Sequence, residues 1–268
     1  MTAKIEEMLF SEINTQFISD IKVHKKVWAI NAQNMPFKDL NSVLHFLDCH
    51  NAEKVKIYNV YGQRYIGTNL KSSMELEIHG TPGNDLAAFM NGPKITIHGN
   101  AQDCIANTMN EGQIVIHGRA GDITGYAMRG GKLFIKEDVG YRCGINMKEY
   151  QNKKPLIIVG GIAQDFLGEY MAGGTMIVLG MNLKENETHP TRYIGTGMHG
   201  GILYMRGKVT NISKEVKISP VDDTDLPKIE KAINEYCNHF NINSKQIMNK
   251  QFWKIIPQSH RPYSRIYA

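Results

Sequence analysis

Glu77-Ile-His-Gly80, Thr96-Ile-His-Gly99 and Val115-Ile-His-Gly118 are near-copies of one tetrapeptide, spaced 19 residues apart. A further 19 residues leads to Phe134-Ile-Lys-Glu137. The series continues with Ile157-Ile-Val-Gly160, Ile177-Val-Leu-Gly180 and Tyr204-Met-Arg-Gly207, at steps of 23, 20 and 27 residues. Each copy reads as a short strand with period-two alternation. One face carries Leu76/Ile78, Ile95/Ile97, Ile114/Ile116, Leu133/Ile135, Leu156/Ile158, Met176/Val178 and Leu203/Met205. A unit this short cannot bury its own apolar side. Stacked copies can, because each strand pairs with its equivalents above and below. The spacing therefore predicts a mainly β chain built as a single-stranded, right-handed parallel β-helix of about seven coils, roughly 34 Å long at one strand spacing per coil.

Upstream of each strand runs a second pattern, a small residue followed three positions later by Met or Leu. It appears as Gly67…Leu70, Ala87…Met90, Ala106…Met109, Gly125…Met128, Gly144…Met147, Gly168…Met171 and Gly195…Met198. Gly-Gly pairs follow at Gly130-Gly131, Gly173-Gly174 and Gly200-Gly201. Glycines recurring in this way belong to corners that need positive φ or close backbone approach. The methionines fit an interior ladder of adaptable fillers.

The opposite strand face changes character along the rod. It begins as Glu77/His79, Thr96/His98 and Val115/His117, and becomes Phe134/Lys136, Ile157/Val159, Ile177/Leu179 and Tyr204/Arg206. Left in water, the later stripe is a large apolar patch, so a flank of the chain or a partner is expected to cover it. Both flanks read as helical. Residues 3–18 place Ile5, Met8, Leu9, Ile13 and Phe17 near helical spacing, and Pro36 opens a helix with Leu40, Val43, Leu44 and Leu47 on one side. Val55-Lys-Ile57 leads into the first coil. Beyond the repeat, Asp225 is placed to cap a helix carrying Ile229, Ile233, Tyr236, Cys237 and Phe240, and Ser244 to cap another with Ile247, Met248 and Phe252. The expected organisation is a helical flank over 1–54, the repeat body over 55–207, and a helical flank with a basic tail over 208–268.

Glycine and charge divide the chain in the same places. All 25 glycines lie between Gly62 and Gly207. The net charge of +5 comes from the part after residue 180, where 13 basic side chains face 8 acidic ones. From residue 245 onward Lys245, Lys250, Lys254, Arg261 and Arg265 meet no acidic residue, which points to docking on the rod or a partner rather than on nucleic acid. No apolar run approaches a membrane span, and the charged N-terminus does not resemble a signal peptide, so a cytoplasmic protein is expected. Cys49, Cys104, Cys143 and Cys237 lie far apart and form no C-x-x-C pair, so they read as reduced, mostly buried thiols.

Motifs that suggest chemistry reduce to features of the repeat. Gly195-Thr-Gly197-Met-His-Gly200 has G-x-G-x-x-G spacing, but it falls on the repeat register and a strand follows it, where a dinucleotide site needs a helix. His79, His98 and His117 form a ladder one coil apart, on one flat strand face, which reads as exposed or partner-covered rather than as a metal site. Arg192, Tyr193 and His199 sit in the coil with the longest insertion, around 182–194, and are candidate interface residues. No catalytic residue, cofactor site or metal site is assigned to this chain.

Gly121-Asp-Ile-Thr-Gly125-Tyr-Ala-Met-Arg-Gly130-Gly and Gln164-Asp-Phe-Leu-Gly168-Glu-Tyr-Met-Ala-Gly173-Gly resemble the GXGXG repeats of the C-terminal domain of the glutamate synthase large subunit. The resemblance covers roughly 60–207. The segment Tyr193-Ile-Gly-Thr-Gly-Met-His-Gly-Gly201 and the ending Ser259-His-Arg-Pro-Tyr263 look more like the stand-alone version of archaea and anaerobic bacteria. A similar repeat occurs in one of the chains of formylmethanofuran dehydrogenase. The resemblance implies one part of a multi-chain oxidoreductase that makes glutamate from glutamine and 2-oxoglutarate. Partner chains of the glutamine amidotransferase type, and others holding FMN and an Fe–S cluster, then carry the chemistry; self-association of this chain is a further option. The family's N-terminal nucleophilic cysteine has no counterpart here, since the first cysteine is Cys49.

Overall fold

The computed structural model describes Met8 and residues 21–259. The twelve strands among these residues form one continuous sheet. The chain enters through β1 (Ile21–His24), β2 (Val27–Asn31) and α1 (Phe37–Cys49), and then winds through β3 (Lys54–Tyr61), β4 (Glu75–Thr81), β5 (Asn91–His98) and β6 (Glu111–Ile116). It continues through β7 (Lys132–Ile135), β8 (Leu156–Val159), β9 (Ala172–Val178) and β10 (Gly200–Arg206). From β2 to β10 every strand pairs parallel with the next, giving a parallel β-solenoid. The seven strands β4 to β10 are the seven repeats read from the sequence.

A second ladder runs along the corner. Ala87 N–H donates to Ile66 O at 2.8 Å, Ala106 to Leu86 at 2.9 Å, Gly125 to Ile105 at 2.7 Å and Gly144 to Thr124 at 2.8 Å. Within each corner the chain turns tightly, as where Met90 N–H donates to Ala87 O at 3.2 Å. That turn sends Leu70, Met90, Met109, Met128, Met147, Met171 and Met198 into the interior, where all are buried. Inward strand residues and this Met/Leu column make one core running the length of the rod.

One register differs from expectation. Leu133 pairs with Ile157 and Ile135 with Val159, so Ile157 and Val159 point inward, while Ile158 joins the outer cluster and Leu156 packs against it. The steps after Ile135 are therefore 24, 19 and 27 residues, along Ile135, Val159, Val178 and Met205. The reason is that Leu156-Ile-Ile-Val159 is apolar throughout and covered on both faces, so alternation carries no phase there.

The outer stripe is covered by the chain itself. After β10 come β11 (Val216–Pro220), α2 (Leu226–Phe240), α3 (Ser244–Met248) and β12 (Phe252–Pro257). Ile229, Ile233, Tyr236, Cys237 and Phe240 of α2 pack on Val115, Phe134, Ile158, Ile177, Leu179 and Tyr204. β12 inserts antiparallel between β10 and β11, so this part of the tail covers the edge of the last parallel strand, and β11 becomes the outermost strand. Lys254 lies on this strand and pairs with Asp225 at 2.9 Å.

The helix caps also differ from expectation. Asp225 stands at the start of α2 without a side-chain capping bond. Its fully buried carboxylate instead accepts from Tyr204 Oη at 2.8 Å and pairs with Lys254. Asp222 takes over the local turn, its Oδ1 accepting from Thr224 N–H at 2.9 Å and Asp225 N–H at 3.2 Å. Asn243, not Ser244, caps α3 by accepting from Lys245 N–H at 3.0 Å. In the N-terminal flank, β1 and β2 form an antiparallel hairpin that extends the sheet by two strands before α1. α1 buries Leu40, Val43, Leu44 and Leu47 as expected. The helix expected over 3–18 lies outside the described residues apart from Met8, as does the tail from residue 260. Cys143 and Cys237 are buried, Cys104 is half-buried and Cys49 is exposed, and all four are free thiols. Burial pushes the Cys143 thiol up to about 12.

Candidate functional site

The corner preceding each strand is built from residues of alternating backbone hand. Two positions before the small corner residue, Tyr65, Asp85, Cys104, Ile123, Arg142, Phe166 and Tyr193 all have φ between 57° and 65°. Backbone hydrogen bonds tie successive members into register: Arg142 N–H to Asp165 O, then Phe166 N–H to Arg192 O. The side chains at this position therefore stack coil on coil at the surface. At the later end the stack is Arg142, Phe166 and Tyr193. The Arg142 guanidinium lies 4.8 Å from the Phe166 ring centroid, and the Phe166 and Tyr193 rings stack at 4.9 Å with 12° between planes.

Two ion pairs lock this stack. Arg192 donates from its backbone N–H to Asp165 Oδ1 at 2.9 Å and from Nε and Nη2 to Oδ2 at 3.0 and 2.7 Å. The Arg192 guanidinium holds the Asp165 carboxyl below the usual carboxylate range. Arg142 Nε donates to Glu169 at 2.9 Å. Asp165 and Glu169 are buried, yet the side chain of Arg192 is 64% exposed and Tyr193 is 53% exposed. Both arginines thus face outward from fixed acidic anchors. Tyr65, Phe89, Tyr126, Tyr141 and Tyr170 are also exposed, and each lies within three residues of the small corner residue of its coil. Exposed aromatics and rigidly held arginines are the side chains that protein interfaces concentrate.

Of the three candidate interface residues, Arg192 and Tyr193 join this surface. His199 is half-buried, and its Nδ1 lies 3.1 Å from Gly197 O, so it shapes the turn into β10. The repeat glycines fall in corners and at strand starts. Gly67, Gly125, Gly131, Gly144, Gly168, Gly174, Gly195 and Gly201 have positive φ, while Gly130, Gly173 and Gly200 press against backbone of the preceding coil. Sequence reasoning missed Arg142, Asp165, Phe166 and Glu169. Arg142 and Phe166 share the position two before the corner residue, where a left-handed residue recurs in every coil; Asp165 and Glu169 lie on either side of the Phe166–Gly168 corner and follow no such repeat. Sequence reasoning also missed His189 and Thr191, which anchor the long insertion: Thr191 Oγ1 donates to Ala163 O at 2.6 Å, and His189 Nε2 lies 2.9 Å from Arg206 O.

The histidine ladder is present and longer than expected. Tyr58, His79, His98 and His117 stack with ring centroids 4.7, 4.6 and 5.3 Å apart, and Phe240 of α2 closes the column edge-on. A carboxylate lies beside it, which the flat strand face did not suggest: donor atoms of Glu77, His79 and His98 all lie within 4.8 Å of one another. Partial burial works against ionising Glu77, but Lys54 and Lys56 bond its two oxygens and hold its carboxyl at about 2. The imidazoles stack with 16° and 20° between successive planes, and both Glu77 oxygens are engaged by lysines.

A model of the GXGXG motif family matches residues 44–258. An uncharacterized protein of Methanocaldococcus jannaschii, MJ1350, is 44% identical over 249 residues, covering 89% of this chain and 95% of that one. A chain of the formyltransferase/hydrolase complex FhcABCD of Methylorubrum extorquens, solved with methylofuran, has the same fold at 19% identity. Its TM-score is 0.59, over 75% of this chain and 72% of that one.

Proposed function

The chain belongs to the GXGXG motif family, and from that premise we propose that it is a non-catalytic β-helix subunit of a multi-chain enzyme in the cytoplasm. Among the described residues no helix is long and apolar enough to cross a membrane. The single observation that carries the proposal is the corner surface. Arg142, Phe166, Tyr193 and Arg192 are held rigid by stacking and by buried carboxylates, and their outer faces are open to solvent. The solenoid's own core and hydrogen bonds do not require aromatics there, since other coils place Asp85, Cys104 and Ile123 at the same position.

The enzyme this reading favours is glutamate synthase. In it, partner chains hold the amidotransferase site, the FMN and the Fe–S cluster, and convert glutamine and 2-oxoglutarate to glutamate. The cysteines of this chain support that division of labour. They are dispersed over α1, two corners and α2, and burial holds the Cys104, Cys143 and Cys237 thiols in their neutral form. They form no set able to ligate a cluster. The second reading is a β-helix chain of a formylmethanofuran dehydrogenase-type complex, favoured by the backbone likeness to a chain of the formyltransferase/hydrolase complex.

Affinity purification of the tagged chain from its own cells, with mass spectrometry of what co-purifies, separates the readings. Amidotransferase and flavoprotein chains support the first, and molybdenum- or tungsten-containing chains the second. Glutaminase or glutamate-forming activity in the isolated chain contradicts the non-catalytic role.

A further inference from the structure

One of the two insertions in the repeat is the segment before β8. Coils from β4 to β7 close with 19-residue steps, whereas Ile135 to Val159 takes 24. The extra chain is not slack. Tyr150 and Lys153 exchange backbone hydrogen bonds at 3.2 and 3.0 Å around a tight turn, with Gln151 in the left-handed region. This turn reaches back over earlier coils. Lys153 Nζ donates to Asn91 Oδ1 at 3.1 Å and to Glu111 at 2.9 Å, 62 and 42 residues away in sequence.

Between the turn and the corner lies an open groove of about 670 Å³. Tyr150, Gln151 and Lys153 form one wall, and Phe89 and Lys71 stand on the other side. Asn69, Asn91 and Asn110 supply side-chain amides from three coils. Phe89 and Tyr150 are each about half exposed, so their ring faces are available for stacking. Behind Tyr150, the Arg129 guanidinium lies 5.9 Å from the ring centroid, and its buried Nε has no hydrogen-bond partner. Lys71 and Lys153 line the groove and Arg129 adjoins it; Glu111 offsets part of this charge through its pair with Lys153, and the Asp48 carboxylate accepts from the Lys71 backbone N–H.

We infer that this groove binds a small ring-bearing oxyanion, its ring stacked on Tyr150 or Phe89 and its phosphate or carboxylate held by Lys71 and Lys153. The volume lies within the range of small-molecule sites. Amide side chains beside an exposed aromatic ring suit a polar ring with several hydrogen-bonding groups, and lysine supplies charge-assisted bonds to the anion. Binding here is read on the isolated chain and on residues outside the Arg142–Tyr193 stack, so its failure is distinguishable from failure of the partner reading.

Calorimetric titration of the full-length chain tests it with three probes: glucose 6-phosphate, benzoate and inorganic phosphate. The expected result is saturable binding of glucose 6-phosphate or benzoate with a dissociation constant of about 1 mM or tighter. The stronger of the two identifies the ring, and inorganic phosphate binds more weakly than either. The Lys71→Gln/Lys153→Gln double variant and Tyr150→Ala should each weaken binding about tenfold or more. Circular dichroism and the melting temperature verify that these exposed-site variants stay folded. Failure of both ring-bearing probes to saturate by about 10 mM overturns the inference. So does binding that is unchanged in the folded variants, or inorganic phosphate binding as tightly as the ring-bearing probes.

Discussion

Gly67, Ala87, Ala106, Gly125, Gly144, Gly168 and Gly195 occupy one repeated corner position, all with φ between 60° and 77°. Two of the seven are alanine, so the corner itself tolerates a methyl group; the left-handed backbone resists it by about 1–2 kcal/mol, and at Gly67 a Cβ also meets the flexible end of Ile95. Gly200 is a different case. Its backbone is not left-handed, but a Cβ there would collide with the carbonyl of Ala172 one coil below. Gly67→Ala should therefore cost no more than about 2 kcal/mol, with Ile95 Cδ1 moving aside, while Gly200→Ala should cost distinctly more. Chemical denaturation of the two variants checks this order. The histidines allow a second test at the same scale. Burial lowers the pKa of His79, His117 and His239 from 6.5, and the neighbouring His98 lowers the first two further. The unfolded chain therefore binds protons that the folded chain resists, so stability is full above pH 6.5 and declines as pH falls through it. The melting temperature should drop between about pH 7.5 and 5.5, and His117→Phe should remove part of that drop. A melting temperature that is flat over this interval contradicts the burial of the ladder.

At the scale of elements, the strands were legible because each coil repeats the same in–out alternation, and α2 because five apolar residues recur at helical spacing. The β8 register was not legible. A strand covered on both faces has no polar residue to set its phase, and an insertion of unknown length before it removes the repeat as a guide. The N-terminal hairpin escaped for a related reason: Ile21–His24 and Val27–Asn31 are short, and nothing in them repeats. The surface stack was half legible, since Arg192 and Tyr193 stand in the obvious insertion, whereas Arg142 and Phe166 depend on which residues the corner brings together. The covering of the outer stripe makes its own prediction. Ile233 is fully buried between α2 and the sheet. Ile233→Ala should destabilise the protein by about 2–5 kcal/mol. Deleting residues 221–268 should expose Phe134, Ile158, Ile177 and Leu179 and produce an aggregating, dye-binding chain. A soluble monomer after that deletion contradicts the cap role.

As a whole the molecule is a rod with both sheet ends managed by its own flanks. The β1–β2 hairpin continues one end, and β12 with β11 outside it extends the other. Arg206 fastens the second cap. Nε donates to Ile247 O at 2.7 Å and Nη1 to Leu179 O at 3.2 Å; Nη2 reaches Gln246 O at 3.1 Å and Asn249 Oδ1 at 3.2 Å. The basic tail seen in the sequence is thus partly a structural strand, with Lys254 spent on Asp225. With the outer stripe covered, the corner surface around Arg142, Phe166, Arg192 and Tyr193 is the proposed seat of a partner chain. The most direct measurement is co-purification of the tagged wild-type chain and a Phe166→Ala/Tyr193→Ala variant from the native cell, with mass spectrometry of bound chains and melting temperatures of both proteins. Amidotransferase and FMN/Fe–S chains are expected on the wild type, and their loss from a variant that melts within a few degrees of it. A wild-type chain that purifies without those partners, or a folded variant that retains them in full, contradicts the proposed role.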